Sequence, residues 1–400
     1  GSGLFSIPAA FRYSGIMVGL FWIFINGFLM AYGLKILAKL SYEISNRTSA
    51  QSINYGDLGE ECLKTIFNEK GGKFGRALTN FVIVLTCFAL VCAQMIYIAS
   101  IWKQGFEELG VSEMETGTWI FILYCFLFPL FQMRRPDILA SCSVFANILS
   151  MVGTIAIFAH IFSVKTFKIQ EKDWRSENRV QWTKLPLTLG ITFYAYQMVA
   201  PLVATMRNVM KKPNKLPFVI NIVMAGITVL FGVLGTTGYA SCFPDCQDSI
   251  ILNLPGTWYY SGVKILLGLA SIVGTALGVF ICFNIVDPIL KKMFPENRFL
   301  VASVIIRIFF LTFAAGITAS VPELGNVMSL SGNLTNPTLS LIFPAIGHIA
   351  LFYKTASRIT IAKDIALLFC GLTILVIGIY TSLYHIVHDI FSLKLEKSVS

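Results

Sequence analysis

The chain predicts an all-α integral membrane protein, a single transmembrane domain spanning residues 1–400, and three observations carry that prediction. Hydrophobic residues make up 56% of the chain and charged residues only 13%, against roughly 45–50% and about 25% in soluble domains. The apolar residues fall in long runs bounded by charges. A bilayer core about 30 Å thick needs roughly 20 apolar residues at about 1.5 Å rise, so each full run is long enough to cross. The Lys and Arg residues, finally, alternate in space with the runs instead of gathering into one patch.

In order, the runs are residues 15–40, 77–102, 118–131 (a short one), 138–164, 186–206, 218–243, 258–286, 300–321, 324–353 and 361–390. Ahead of them Leu4-Phe5-Ser6-Ile7-Pro8-Ala9-Ala10-Phe11 is too short to span and reads as the second half of a helix, with Gly1-Ser2-Gly3 where an unwound break would lie. An alternative is that Gly1-Ser2-Gly3 is a foreign scar before a frayed end. Pro8 is tolerable in an early turn, where little intrahelical bonding is lost.

The net charge of +10 suggests a nucleic-acid surface only if the cations share a face. Here they mark sidedness. If the first helix runs outward, the cytosolic loops hold Arg47, Lys64, Lys70, Lys73, Arg76, Arg134, Arg135, Arg207, Lys211, Lys212, Lys215, Lys291, Lys292, Arg298, Lys354 and Arg358, while the short opposite loops hold little beyond Arg12 and Lys103. The longer 164–185 loop mixes basic residues with Glu171, Asp173 and Glu177 and says less. The sequons at Asn46 and Asn333 fall in a cytosolic and an intramembrane stretch, so neither is expected to carry glycan.

Cysteines in the apolar runs read as small buried hydrophobes, and no metal-ligand spacing occurs. Cys242 and Cys246 differ, because both flank Phe243-Pro244-Asp245 on the non-cytosolic side, where a local disulfide is one of two open readings. No paired carboxylates, metal cluster or nucleophile with a base occurs at bilayer depth, so an enzyme is not expected, nor is a cofactor. A channel is disfavoured by the lack of a repeated pore motif or charged ring.

A second interruption stands in the run 186–206. Gly190-Ile-Thr-Phe-Tyr-Ala-Tyr-Gln197 puts hydroxyls and an amide at bilayer depth, with Pro201 following. Such groups need protein or water as partners. Counting the first fragment as helix one, the interruptions fall in helices one and six. Paired breaks in corresponding positions of two halves point to an inverted-repeat transporter with its site at mid-membrane.

Several stretches, in the right order, resemble the amino acid/auxin permease family, and within it the proton-coupled amino acid transporters. They are Gly1 to Ala10, Ser143-Val-Phe-Ala-Asn147-Ile, Gly235-Thr-Thr-Gly-Tyr239, Asp248-Ser-Ile-Ile-Leu-Asn253-Leu-Pro255 with Val263-Lys264, and Thr360-Ile-Ala-Lys363-Asp364-Ile. The resemblance covers nearly the whole chain. It implies an eleven-helix, LeuT-like inverted repeat with the first helix truncated to its second half. It also implies small neutral amino acids as substrates, symport with the proton as coupling ion, and the plasma membrane or lysosome/endosome as location. Departures from the family are Gln197 and Asn284, where the family has glutamates, and the missing partners of the family's inter-helix disulfide, since 103–117 holds no cysteine and Thr257 stands at the second position.

The resulting site expectation is concrete. Backbone N–H groups of Gly1, Ser2 and Gly3, with the positive end of a half-helix beginning near Leu4, bind the substrate carboxylate. Carbonyls around Phe193 to Tyr196 and the Gln197 side chain accept from the ammonium, and Tyr194 or Tyr196 closes over the substrate or simply packs. Coupling or gating falls to Arg307, His348 and Asn284, with His160 a weaker candidate. Asp287 and Asp364 are expected to pair locally with Lys291 and Lys363. A sensor of the same fold, binding an amino acid and signalling to a cytosolic partner, is the alternative to a carrier.

Overall fold

A computed structural model describes residues 1–48, 53–163, 180–321 and 323–399; the charged stretch 164–179 lies outside these, and the side chains of Arg207 and 392–399 are likewise not described. The described residues are helical throughout, with no strand among them. The elements are α1 Ser2–Thr48, α2 Tyr55–Glu108, α3 Thr116–Phe131, α4 Pro136–Ser163, α5 Leu185–Ala195, α6 Val199–Val209, α7 Leu216–Cys242, α8 Trp258–Met293, α9 Glu296–Ser320, α10 Leu324–Pro337, a π-helical turn Thr338–Ile342, α11 Phe343–Phe352 and α12 Arg358–Val399.

Eight helices among the described residues are long and apolar enough to cross a membrane. The difference from the ten apolar runs has two causes. The run 118–131 forms the 16-residue α3, shorter than a full crossing. The run 186–206 is cut into α5 and α6, each of 11 residues. The first fragment and the run from Gly15 are two helices within α1, joined at a kink at Gly15, whose φ of 69° suits glycine because no Cβ obstructs it. Helix α1 also starts at Ser2, two residues earlier than expected.

Burial, and not hydropathy, separates the central helices from the outer ones. In the most hydropathic window of Leu324–Phe352, 67% of residues are buried, against 17% in α4 and 22% in α9. The α10–α11 segment therefore forms the middle of the bundle, packed on α5, α12 and α2. Helices α4 and α9 stand outside and turn Phe145, Ile148, Met151, Ile155, Phe309 and Phe313 outward, exposed side chains that suit lipid.

Small residues set the closest crossing at the centre. A Cβ on Gly332 of α10 would run into the backbone of Gly190 and Tyr194, and one on Gly190 into Ser329. The α5 and α10 backbones thus touch, as small residues permit between membrane helices. Asn333, buried at this crossing, donates Nδ2 to the Pro186 carbonyl at 3.1 Å, so this sequon is intramembrane.

Candidate functional site

Helix α5 ends where its chain must turn. Tyr196 and Gln197 still donate to Phe193 O and Tyr194 O at 3.1 and 3.0 Å, and Met198 then adopts φ 69°, a left-handed conformation rare in a residue with a side chain. The break lies at 196–198, later than the expected 193–196. The carbonyls of Phe193 and Tyr194 are occupied inside the last turn, and Phe193 O also accepts from Asn336 Nδ2 at 2.6 Å. The Phe193 ring is fully buried in the core, so Phe193 positions the break and does not line the site.

Opposite the break stands the first turn of α1. Gly1, Ser2 and Gly3 share a cavity of about 280 Å³ with Tyr194, Tyr196 and Gln197. The two backbones almost touch, since a Cβ on Gly3 would lie 2.7 Å from Ala195 Cα. Ser2 Oγ and Tyr194 OH are hydrogen-bonded at 3.2 Å across the gap. Tyr196 is held by Thr228 Oγ1 on α7 at 2.9 Å and by the Phe231 ring at 4.8 Å between centroids. Both tyrosines are therefore fixed to neighbouring helices and form walls.

Gln197 is engaged as well. Its Nε2 donates to Ser331 Oγ at 3.0 Å and Thr335 Oγ1 at 3.2 Å, and reaches Thr86 O at 3.4 Å. The amide therefore stitches the break to α10 and α2, replacing hydrogen bonds that an unwound backbone would otherwise lack. A neutral amide suits that work in a place where a lone carboxylate is costly.

The same cavity reveals a residue that sequence reasoning missed. Gln94 on α2 is 8% exposed, lines the cavity, and its Oε1 has no hydrogen-bond partner among the described residues. A buried carbonyl-type oxygen without a donor costs about 1–3 kcal/mol. A ligand donor would recover that cost. The only sequence signal was a lone amide within the apolar run 77–102, and on a single helix it could face anywhere.

The proposed coupling residues lie apart from this cavity. Arg307 is 2% exposed, donates to Asp287 Oδ2 at 2.7 Å and to Phe131 O at 2.6 Å, and lies 4.3 Å over the Phe283 ring. Ser303 completes the clamp on Asp287 Oδ1 at 2.7 Å. Arg307 therefore does not snorkel; it ties α9 to α8 and to the end of α3. Asp287 pairs with Arg307, and not with Lys291 as its sequence neighbourhood suggested, because one face of α8 meets α9 there. Asp364 likewise pairs with His348, Nδ1 to Oδ2 2.7 Å, and not with Lys363. Asn284 is exposed in a separate cavity of about 510 Å³ beside Arg76, Asn80 and Lys292. His160 meets the Tyr260 hydroxyl at 3.0 Å between α4 and α8.

On the opposite end, Arg12 closes the kink of α1 against the loop after α7, with Asp248 Oδ1 at 3.3 Å and the Cys246 carbonyl at 3.0 Å. Cys242 and Cys246 are joined in a disulfide within that loop. Asn326 Nδ2 donates to both Glu323 and Asp389, at 3.0 and 2.6 Å. These groups line a polar vestibule with Lys184 and His385. Lys264, fully buried, donates to Glu108 at 2.5 Å.

Long apolar helices around a short helix pair broken at its centre, with a small uncharged cavity at the break, define an integral membrane protein of the transporter class. Residues 1–384 match the family described as transmembrane amino acid transporter protein, and the chain belongs to that family. It is 25% identical over 405 residues to the proton-coupled amino acid transporter-like protein pathetic of Drosophila melanogaster, covering 97% of this chain and 82% of the relative. It is also 25% identical over 400 residues to the amino acid transporter ANT1 of Arabidopsis thaliana, covering 96% and 89%. This is the amino acid/auxin permease family that the sequence motifs resemble, and amino acid transport across a membrane is its function.

Proposed function

We propose that the chain is a secondary active transporter of small neutral amino acids, driven by protons and working by alternating access at the cavity between α1 and the α5–α6 break. The observation that carries this reading is the meeting of the first turn of α1 and the α5–α6 break across one cavity of about 280 Å³. The first turn of α1 offers backbone N–H groups and the positive end of the helix dipole to a carboxylate. Gln94 Oε1, together with backbone carbonyls of the break, offers acceptors to an ammonium. The lining holds no ionised side chain, so nothing there would neutralise a charged substrate side chain. Tyr196 and Phe231 limit its size. Alternating access is supported by the break itself, a natural joint between two short helices. Proton drive is supported by the name of the Drosophila relative and by titratable pairs near both ends of the bundle.

The test is transport. Reconstituted in liposomes with an imposed pH gradient, the protein is expected to accumulate labelled alanine on the side toward which protons flow. Binding without flux would overturn the carrier reading in favour of a sensor. Flux indifferent to the gradient would overturn only the coupling.

A further inference from the structure

Two titratable groups are buried together well away from the substrate cavity. His348 on α11 is 2% exposed and Asp364 on α12 is fully buried. His348 Nδ1 lies 2.7 Å from Asp364 Oδ2, and its other ring nitrogen, Nε2, lies 3.1 Å from Lys39 Nζ on α1. Tyr32 OH donates to Asp364 Oδ1 at 3.3 Å. Lys39 itself is exposed, and its ammonium lies 4.2 Å over the Phe352 ring, against which His348 also packs.

Chemistry fixes the protons in this arrangement. A lysine ammonium can only donate, so Nε2 must be the acceptor. A carboxylate can only accept, so Nδ1 carries the hydrogen. The imidazole is therefore neutral, and its free lone pair is covered by a cation whose far side faces water. A proton arriving on Nε2 forms an N–H bond there and breaks the Lys39 hydrogen bond. The resulting imidazolium stays with Asp364, while two cations 3.1 Å apart repel. Lys39 then has an open route outward.

The consequence is mechanical, because Lys39 is a polar link between α1 and α11, beside the packing of Leu40 on Gly347. Around that link, the remaining titratable groups on the elements packed against α11 are few. Tyr55 and Cys62 face it from α2, Tyr55 being held by the Leu339 carbonyl at 2.5 Å and Cys62 lying at Gly347. The π-helical turn has none, and Lys35 and Lys363 stand next in register on α1 and α12. The turn itself joins α11 to α10. There Ser340 donates to Asn336 Oδ1 at 2.7 Å, and Asn336 in turn holds the Phe193 carbonyl at the substrate break. Single π turns inside α-helices recur at functional sites. One continuous, packed path therefore runs from the protonated pair to the break.

We infer that His348, held by Asp364 and covered by Lys39, is the proton-binding site that couples the pH gradient to movement of α1 against α11. This rests on the proton-driven reading above, and the controls separate the two. In proteoliposomes, the ratio of gradient-driven alanine uptake to counterflow at equal pH is expected to fall more than tenfold in His348→Gln. A merely structural clamp would lower both rates together and leave the ratio unchanged, which would overturn the inference. Lys39→Met, at an exposed position, removes the cation whose displacement carries the movement, so the same ratio is expected to fall while counterflow at equal pH is kept. An unchanged ratio would also overturn it. Wild-type uptake that ignores the gradient would instead bring down the coupling reading itself.

Discussion

The centre of the bundle and its charged shell solve opposite problems. Around the break, Gln197, Ser331, Thr335, Gln94 and the two tyrosines are all neutral, and the hydrogen bonds of Gln197 and the tyrosines run from helix to helix. Toward the helix ends stand Arg12–Asp248, Lys264–Glu108 and Arg307–Asp287, each binding one element to another through charge, and the carboxylate of Asp364 hydrogen-bonded to His348. The difference teaches where each kind of bond is useful. A zwitterion entering the centre brings both charges with it, so fixed charges there would compete with one end of it. Ion pairs near the ends instead tie one helix to another, and removing one partner leaves the other charge uncompensated.

Breaking the shell should cost most. Asp287→Ala leaves the Arg307 guanidinium buried beside Phe283 with its main counter-charge gone, and uncompensated charges of this kind cost about 3–5 kcal/mol. Thermal unfolding in detergent should show the loss, and Asp287→Leu with Arg307→Met should recover most of it. A single variant as stable as the parent would mean that the pair is solvated and the contrast between centre and shell is overstated.

A change at the centre should move binding more than stability. Gln94→Leu keeps the volume but removes the unpartnered oxygen, so alanine affinity is expected to fall about tenfold, equivalent to about 1.4 kcal/mol. Stability should hold or rise, since a buried acceptor without a donor is lost. Scintillation-proximity binding with labelled alanine measures it. Unchanged affinity would remove Gln94 from the site.

The smallest effect lies in the vestibule. Loss of hydration, and then the negative charges of Asp389 and Asp248, hold the Glu323 carboxyl above its ordinary value, against the opposing pull of Arg12 and Lys184. The folded chain therefore binds this proton more tightly than the unfolded chain. Stability from Glu323 is greatest at low pH and declines as pH rises from the ordinary carboxylate value through the raised folded one. Glu323→Gln should flatten that part of a melting-temperature profile. A profile of unchanged slope would place the titration on another vestibule group.

Much of this molecule was legible in its residues, for a physical reason. A membrane demands about 20 apolar residues per crossing and internally satisfied backbone, and both requirements are local. Composition, run lengths and the polar stretch ending at Gln197 were enough to place the break between α5 and α6 that lines the cavity. Local reasoning went astray where partners had to be chosen. Asp287 and Asp364 each have a lysine close by in sequence, yet each pairs with a residue on another helix. Gln197, expected at the substrate, also hydrogen-bonds Ser331 and Thr335 on α10, partners that its own stretch does not show. Gln94 and Lys39 gave at most a lone polar residue in a helix, which acquires meaning only from what faces it. The sequence by itself determined a helical membrane protein with an interruption near Gln197, since those follow from hydration and backbone hydrogen bonding along the chain. Only the tertiary structure decided which buried oxygen lacks a donor and which histidine meets which carboxylate, because helix rotation and packing bring together residues that the chain keeps far apart.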